Sequence, residues 1–251
     1  MTSQPEIGVR LEPDPSRAKR IAVLSPHLDD AVLSLGAAIA SWAREGARVE
    51  VLTVFACDPD SNAPTGGWDR RGGFATEGEA ARARREEDRG ACAILGATPV
   101  WLPFGSVDFE RHGDEVAVRA AVHASIEGAD TVLLPGAPLS HPDHAWLTRA
   151  LAGDIPTTRL GFYAEQPYAR RTRSDHEVPE WLAVALGTPI VFEKVPTGRR
   201  SQLAKSRAIR KYRSQLPLLG MRRSLRKGPH ALAIVAEAIA LIDGSTRRLR
   251  D

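Results

Sequence analysis

Only two cysteines, Cys57 and Cys92, occur in 251 residues, so no disulfide framework holds this chain together. Both lie far in sequence from the histidine clusters described below, which argues against a closed, cysteine-built structural zinc site. No apolar run approaches the roughly 20 residues needed to span a bilayer. The stretch from Met1 to Arg20 is polar, carries Pro5, Pro13 and Pro15, and lacks the apolar core of a secretory signal. It reads as a partly disordered lead-in, and the cytoplasm is the expected compartment. There is no internal repeat and no low-complexity segment. Zinc-finger, helix-turn-helix and RNP signatures are also missing.

What is present is an ordinary globular balance, 43% apolar and 26% charged. The net charge of +3 is small but unevenly placed. From Pro196 to Asp251 there are fourteen Lys or Arg against three Asp or Glu, which leaves the rest of the chain acidic. A basic tail can serve nucleic acid, anionic lipid or an anionic substrate, or it can be a solvated helix face. The most basic stretch, RAIRKYRSQL, holds a single aromatic, Tyr212. That is thin for a base-stacking surface, so no nucleic-acid partner is expected.

Strand and helix patterns alternate along the chain. Ile21 to Ser25 and Val49 to Phe55 are apolar strand-like runs on either side of an amphipathic helix, Asp30 to Glu45, stopped by Gly46. A long Gly-, Pro- and Arg-rich loop from Asp58 to about Thr76 follows, of the kind that forms lids or walls. Helices are then expected over Glu77 to Leu95, Asp114 to Glu127 and Ala145 to Ala152. Strands are expected over Pro99 to Phe104, Thr131 to Leu134 and Arg159 to Ala164. Beyond that the repeat weakens: Ile190 to Val195 reads as a strand, and Arg199 to Gln215 and Pro229 to Ile242 as helices. The pattern predicts a mostly parallel sheet covered by helices on both faces, a Rossmann-like α/β sandwich. It is read as one domain over residues 21–251 with a basic helical C-terminal part.

Two clusters fall where such a sheet binds ligands, beyond the carboxyl ends of its strands. His27, Asp29 and Asp30 follow the first strand, in SPHLDD; His141, Asp143 and His144 follow the fourth, in HPDH. Adjacent carboxylates repel and are costly to bury unpaired, so something there should want negative charge. Histidine nitrogen and carboxylate oxygen are zinc donors, and a catalytic zinc uses three of them plus a water. Each cluster also has a plain reading: Asp29 or Asp30 as a helix N-cap, and HPDH as a capped turn with surface histidines. The coincidence of both at strand ends favours a metal. His112, His123, His176 and His230 have no such company.

SPHLDD with HPDH in an alternating α/β chain resembles the LmbE-like, or PIG-L, family of zinc-dependent deacetylases, over about residues 20 to 215. The family's first motif reads His-Pro-Asp-Asp-Glu; here Leu28 stands for the proline and Ala31 for the glutamate, while the second motif is intact. The resemblance implies that His27, Asp30 and His144 hold one Zn2+ per chain, although this donor set also suits other divalent metals such as iron or cobalt. It implies Asp29 as general base, His141 as the residue facing the reacting carbonyl, and Asp143 as the residue steadying His141. The implied reaction removes an N-acetyl or other N-acyl group from an aminosugar or sugar conjugate. Thiol conjugates, or other non-sugar amides, are the alternative substrates.

Substrate contacts are expected from three places. Arg84 and Glu87 resemble a family Arg-x-x-Glu segment, and can equally form a helix ion pair. Asp108 can bind sugar hydroxyls or sit in a turn. Tyr163, Glu165 and Tyr168, in FYAEQPYA, resemble a segment of members acting on antibiotic precursors, and can equally be a half-buried strand end. The expected partner is a small N-acylated molecule, and a homo-oligomer is compatible with the sequence.

Overall fold

The computed structural model describes residues 18–106, 115–155, 159–168, 178–221 and 236–243. Among the described residues, seven strands form one sheet: β1 (Arg20–Ser25), β2 (Arg48–Thr53), β3 (Thr98–Trp101), β4 (Thr131–Ala137), β5 (Arg159–Ala164), β6 (Glu193–Lys194) and β7 (Ala238–Asp243). Their order is β3-β2-β1-β4-β5-β7-β6. The first five of these are parallel, whereas β7 runs antiparallel to both β5 and β6.

The strands read as near-continuous apolar runs because both faces of the sheet are covered. Ile21 and Val23 of β1 point into one buried layer, with α1 (Asp30–Arg44), α3 (Glu77–Leu95) and α7 (Arg199–Ile209). Ala22 and Leu24 point into the other, with α4 (Glu115–Ile126), α5 (Pro142–Leu151) and α6 (Glu180–Leu186). This period-two split is the strand signature, and it confirms the α/β sandwich.

Helix α3 starts and stops where expected. Thr76 caps it by accepting from the Glu79 N–H, and Gly96 closes it at φ +75, a backbone state that costs glycine nothing. The expected loop over residues 58–76 is built rather than loose. It contains the short helix α2 (Gly67–Arg71), and it is pinned by the bonds Thr65 N–H to Ala75 O and Glu77 N–H to Ala63 O.

The C-terminal expectation is overturned. Instead of a helix reaching Ile242, Ala238–Asp243 is β7; the segment from 229 to 235 lies outside the described residues. A short apolar run cannot be assigned by periodicity alone. Here the free edge of β5 decides, since it pairs with β7 from Arg159↔Asp243 to Tyr163↔Ile239. The expected strand over 190–195 shrinks to Glu193–Lys194, and the expected helix over 199–215 ends at Ile209.

The functional consequence lies in the strand order. From β1 the chain builds outward through β2 and β3, then crosses to β4 and builds the other way. β1 and β4 are therefore hydrogen-bonded neighbours, and the crevice at their carboxyl ends is the topological switch point of the sheet. The two loops carrying the histidine–carboxylate clusters leave from these two strands.

Candidate active site

SPHLDD is a tight turn from β1 into α1. The Ser25 hydroxyl donates to the His27 carbonyl at 2.6 Å and accepts the Ala31 N–H at 3.0 Å. Asp29 occupies the N-cap position but makes no side-chain capping bond. Ser25 does the capping, so the helix does not need the Asp29 carboxylate. Asp29 is nonetheless 6% exposed, and it lines the cleft. Asp30 turns the other way, and its Oδ2 accepts the His27 N–H at 2.9 Å.

Across the crevice, His141 occupies the N-cap position of α5, with its Nδ1 accepting the Asp143 N–H at 3.2 Å. Pro142 at the first helical position sets the turn. One turn on, His144 is fully buried. The rings of His27, His141 and His144 form a triangle with centroids 4.8–5.2 Å apart.

Three donor atoms converge most closely. Asp30 Oδ2 is 3.2 Å from His27 Nδ1 and 3.1 Å from His144 Nε2, and the two nitrogens are 3.3 Å apart. Donors held about 2.0–2.1 Å from a tetrahedral zinc stand about 3.3 Å from one another, so the triangle fits a small divalent cation. His141 is the third histidine within ligating reach, in a looser grouping with His27 and His144 whose donors lie within 4.8 Å.

The electrostatics agree. Burial works against a charged His27, but bonds to Asp143 and Asp30 outweigh it and raise the ring to about 9. Burial likewise opposes charge on His144, and Asp30 and Glu165 override it. The carboxylates that favour positive charge on two buried imidazoles would equally favour a bound cation. Asp30 is held well below the usual carboxylate range despite its burial, chiefly by His144. Asp29 is pushed up to about 7, first by burial and then by the Asp30 charge. Burial and the neighbouring His27 and His144 charges lower His141 to about 4, so at neutral pH it is an uncharged ring.

Of the residues expected here, His27, Asp29, Asp30, His141 and His144 come together. Asp143 reaches both rings: its N–H donates to His141 Nδ1, while its carboxylate Oδ2 lies 3.9 Å from that nitrogen and makes its shorter contact, 3.0 Å, with His27 Nε2, a second role the sequence did not indicate. Tyr163 is not a cleft residue: it is fully buried on the face of α1, α3 and α7, and its hydroxyl donates to the Leu24 carbonyl at 2.9 Å. Glu165 is buried behind the site, bonded to His144 Nδ1 and, at 2.7 Å, to the Leu139 N–H. Tyr168 does line the cleft, edge-on to His144 at 5.8 Å. Arg84 also lines it, but pairs with Asp69 rather than Glu87, whose carboxylate accepts the Ser214 N–H and hydroxyl. Asp108 lies outside the described residues.

The cleft spans about 680 Å³ when the open solvent at its mouth is included. Sequence reasoning missed Trp68 and Asp69, which α2 delivers to its wall, and Ser106, Pro167, Gln215 and Leu219. A signal existed for the first pair. GGWDRRGG brackets an aromatic and an acid between glycines, inside the loop already marked as a lid or wall.

Comparison with known proteins gives a consistent picture. A family model described as PIG-L, GlcNAc-PI de-N-acetylase, matches residues 22–153, which contain both clusters. The 2'-N-acetylparomamine deacetylase of Streptomyces fradiae is 32% identical over 179 residues, covering 61% of this chain and 59% of that protein. The match thus spans less than two thirds of that relative's length. Among solved structures, the A40926 pseudoaglycone deacetylase superposes with a TM-score of 0.68 at 27% identity, covering 90% of this chain and 98% of the other. A zinc-inhibited form of teicoplanin deacetylase has the same fold, with a TM-score of 0.66 at 21% identity and the same coverages.

Proposed function

The chain belongs to the PIG-L family of GlcNAc-PI de-N-acetylases, and on that premise we propose that it is a metal-dependent hydrolase removing an N-acetyl group from an aminosugar conjugate. The observation that carries this reading is the triangle of His27, Asp30 and His144 donors with the uncommitted Asp29 carboxylate beside it in the cleft. These three residues would hold one divalent ion, with zinc as the first choice. When bound, such an ion would make a water acidic enough to lose a proton near neutral pH and would polarise the amide carbonyl.

The chain's own residues supply the rest. Asp29 accepts a proton from the attacking water as the new C–O bond forms. Burial and the Asp30 charge raise this carboxylate above its ordinary range, which suits it to hold that proton and then release it to the departing nitrogen. His141 is uncharged, and its Nδ1 is committed to the Asp143 N–H, so its proton sits on Nε2. That N–H is a donor for the carbonyl oxygen as negative charge develops there. The C–N bond then breaks, and the products are acetate and a free amine.

The sugar assignment draws on the relatives, named as deacetylases of 2'-N-acetylparomamine and of the A40926 pseudoaglycone. The cleft suits such a ligand. Asp69, Arg84, Ser106 and Gln215 offer hydrogen bonds, while Trp68, Tyr168, Pro167 and Leu219 offer apolar contact. The test is acetate release from a panel of N-acetylated aminosugar conjugates, thiol conjugates and peptides, with and without a chelator. Chelator-sensitive release from the sugar conjugates is expected. Cleavage confined to thiol conjugates or peptides would overturn the substrate assignment.

A further inference from the structure

Glu165 stands in the second rank of the site. It is 2% exposed and lies at the end of β5, next to the β4–α5 loop and the first turn of α5, which carry His141 and His144. Its Oε1 is bonded to His144 Nδ1 and its Oε2 accepts the Leu139 N–H at 2.7 Å, while its own N–H donates to the Ala137 carbonyl at 2.7 Å. Leu139 has φ +55, a left-handed state that a non-glycine residue holds only when its surroundings enforce it. A carboxylate has no proton to donate, so the shared proton of the His144–Glu165 bond belongs to Nδ1. The only nitrogen left to ligate is Nε2, the one that faces Asp30 and His27.

His27 is the mirror case. Asp143 takes its Nε2, and Nδ1 is the nitrogen turned to the donor triangle. We propose that Glu165 is a positioning residue for the metal: by fixing the His144 tautomer and the Leu139 turn together, it makes His144 a ligand through Nε2, while Asp143 makes His27 a ligand through Nδ1. This rests on reading His27, Asp30 and His144 as the ligands, and is independent of which substrate is cleaved. It also moves Glu165 from the substrate to the metal.

A glutamine in place of Glu165 cannot do both jobs. If its amide oxygen accepts from His144, its NH2 group faces the Leu139 N–H, donor against donor. If it turns over, the NH2 donates to Nδ1 and drives the ring proton onto Nε2, the ligating atom.

The test is the zinc affinity of the full chain, measured by competition with a chromophoric chelator, together with long-range 1H–15N spectra of zinc-loaded, 15N-histidine-labelled protein. In the wild type the spectra should show His144 protonated at Nδ1 and His27 at Nε2. Glu165→Gln should weaken zinc about 10- to 100-fold, as loss of such a partner typically does. A glutamine variant binding zinc within twofold of wild type, or both wild-type histidines protonated at the same ring position, would overturn the proposal. The wild-type spectrum decides even if the variant fails to fold. Zinc binding without any deacetylation would instead count against the proposed function alone. Zinc bound with neither His27 nor His144 among its ligands would overturn the ligand set and this proposal with it.

Discussion

Asp29 and Asp30 are adjacent in sequence, yet they meet opposite electrostatic conditions. Asp30 is bonded to both ring donors and held well below the usual carboxylate range; Asp29 is pushed up to about 7. On this account Asp29→Asn keeps its metal and its fold but loses turnover by roughly the 10²- to 10⁴-fold of a positioned general base. Asp30→Asn should lose metal and activity together. Paired metal analysis and initial rates check both, and metal loss in the Asp29 variant with retention in the Asp30 variant would exchange the roles. The convergence of Asp30 with His27 was expected from their i,i+3 spacing in the motif. The destinations of Asp143, Tyr163 and Glu165 were not, because each depends on a contact across the fold: Asp143 with His27, Tyr163 with Leu24, Glu165 with His144. No local pattern records which of two nearby histidines a carboxylate will reach.

The element that shapes the cleft wall is the loop before α3. Gly78, in the first turn of α3, packs directly on it: a Cβ there would stand 2.5 Å from the Ser61 carbonyl oxygen and 2.6 Å from that of Pro59. Backbone cannot yield as a flexible side chain would, so Gly78→Ala should shift residues 58–76 and carry Trp68 and Asp69 away from the cleft. Binding made equally in ground and transition states shows in KM with kcat unchanged. Gly78→Ala and Trp68→Ala should therefore raise KM, about tenfold if the lost contact is worth the ~1.4 kcal/mol of a modest interaction, with metal content unchanged. A fall in kcat at constant KM would mean that the loop acts on the chemistry instead. The loop's length marked it in advance; its packing on Gly78 did not, since that contact joins the loop to the following helix through backbone alone. The strands with helical crossovers were legible from periodicity. β7 was not, because its partner β5 lies more than seventy residues earlier and only the finished sheet exposes the edge it completes.

At the scale of the whole molecule, one buried acid ties three elements together. Asp88 of α3 accepts from Trp101 Nε1 of β3 and from the Tyr212 hydroxyl beyond α7, each at 2.7 Å. Burial outweighs those bonds and raises it to about 6 from 3.8. The folded state then holds a proton that the unfolded state releases between about pH 4 and 6. Stability from this group is greatest below about pH 4, declines as pH rises to about 6, and is level above that. Two pKa units correspond to about 3 kcal/mol. Denaturant unfolding of Asp88→Asn against wild type should show the difference moving in the variant's favour by an amount of that order between pH 4 and pH 7; parallel curves would contradict it. The switch-point crevice between β1 and β4 gives both clusters one location, and the proposed chemistry follows if a cation sits there. The direct test is to strip the protein of metal, add back zinc in fractions of an equivalent, and follow acetate release from an N-acetylated aminosugar conjugate. The account predicts no release from the stripped protein and a rate that climbs with added zinc to a break at one equivalent per chain. Undiminished release from metal-free protein, or none at any loading while His27 and His144 bind the ion, would contradict it.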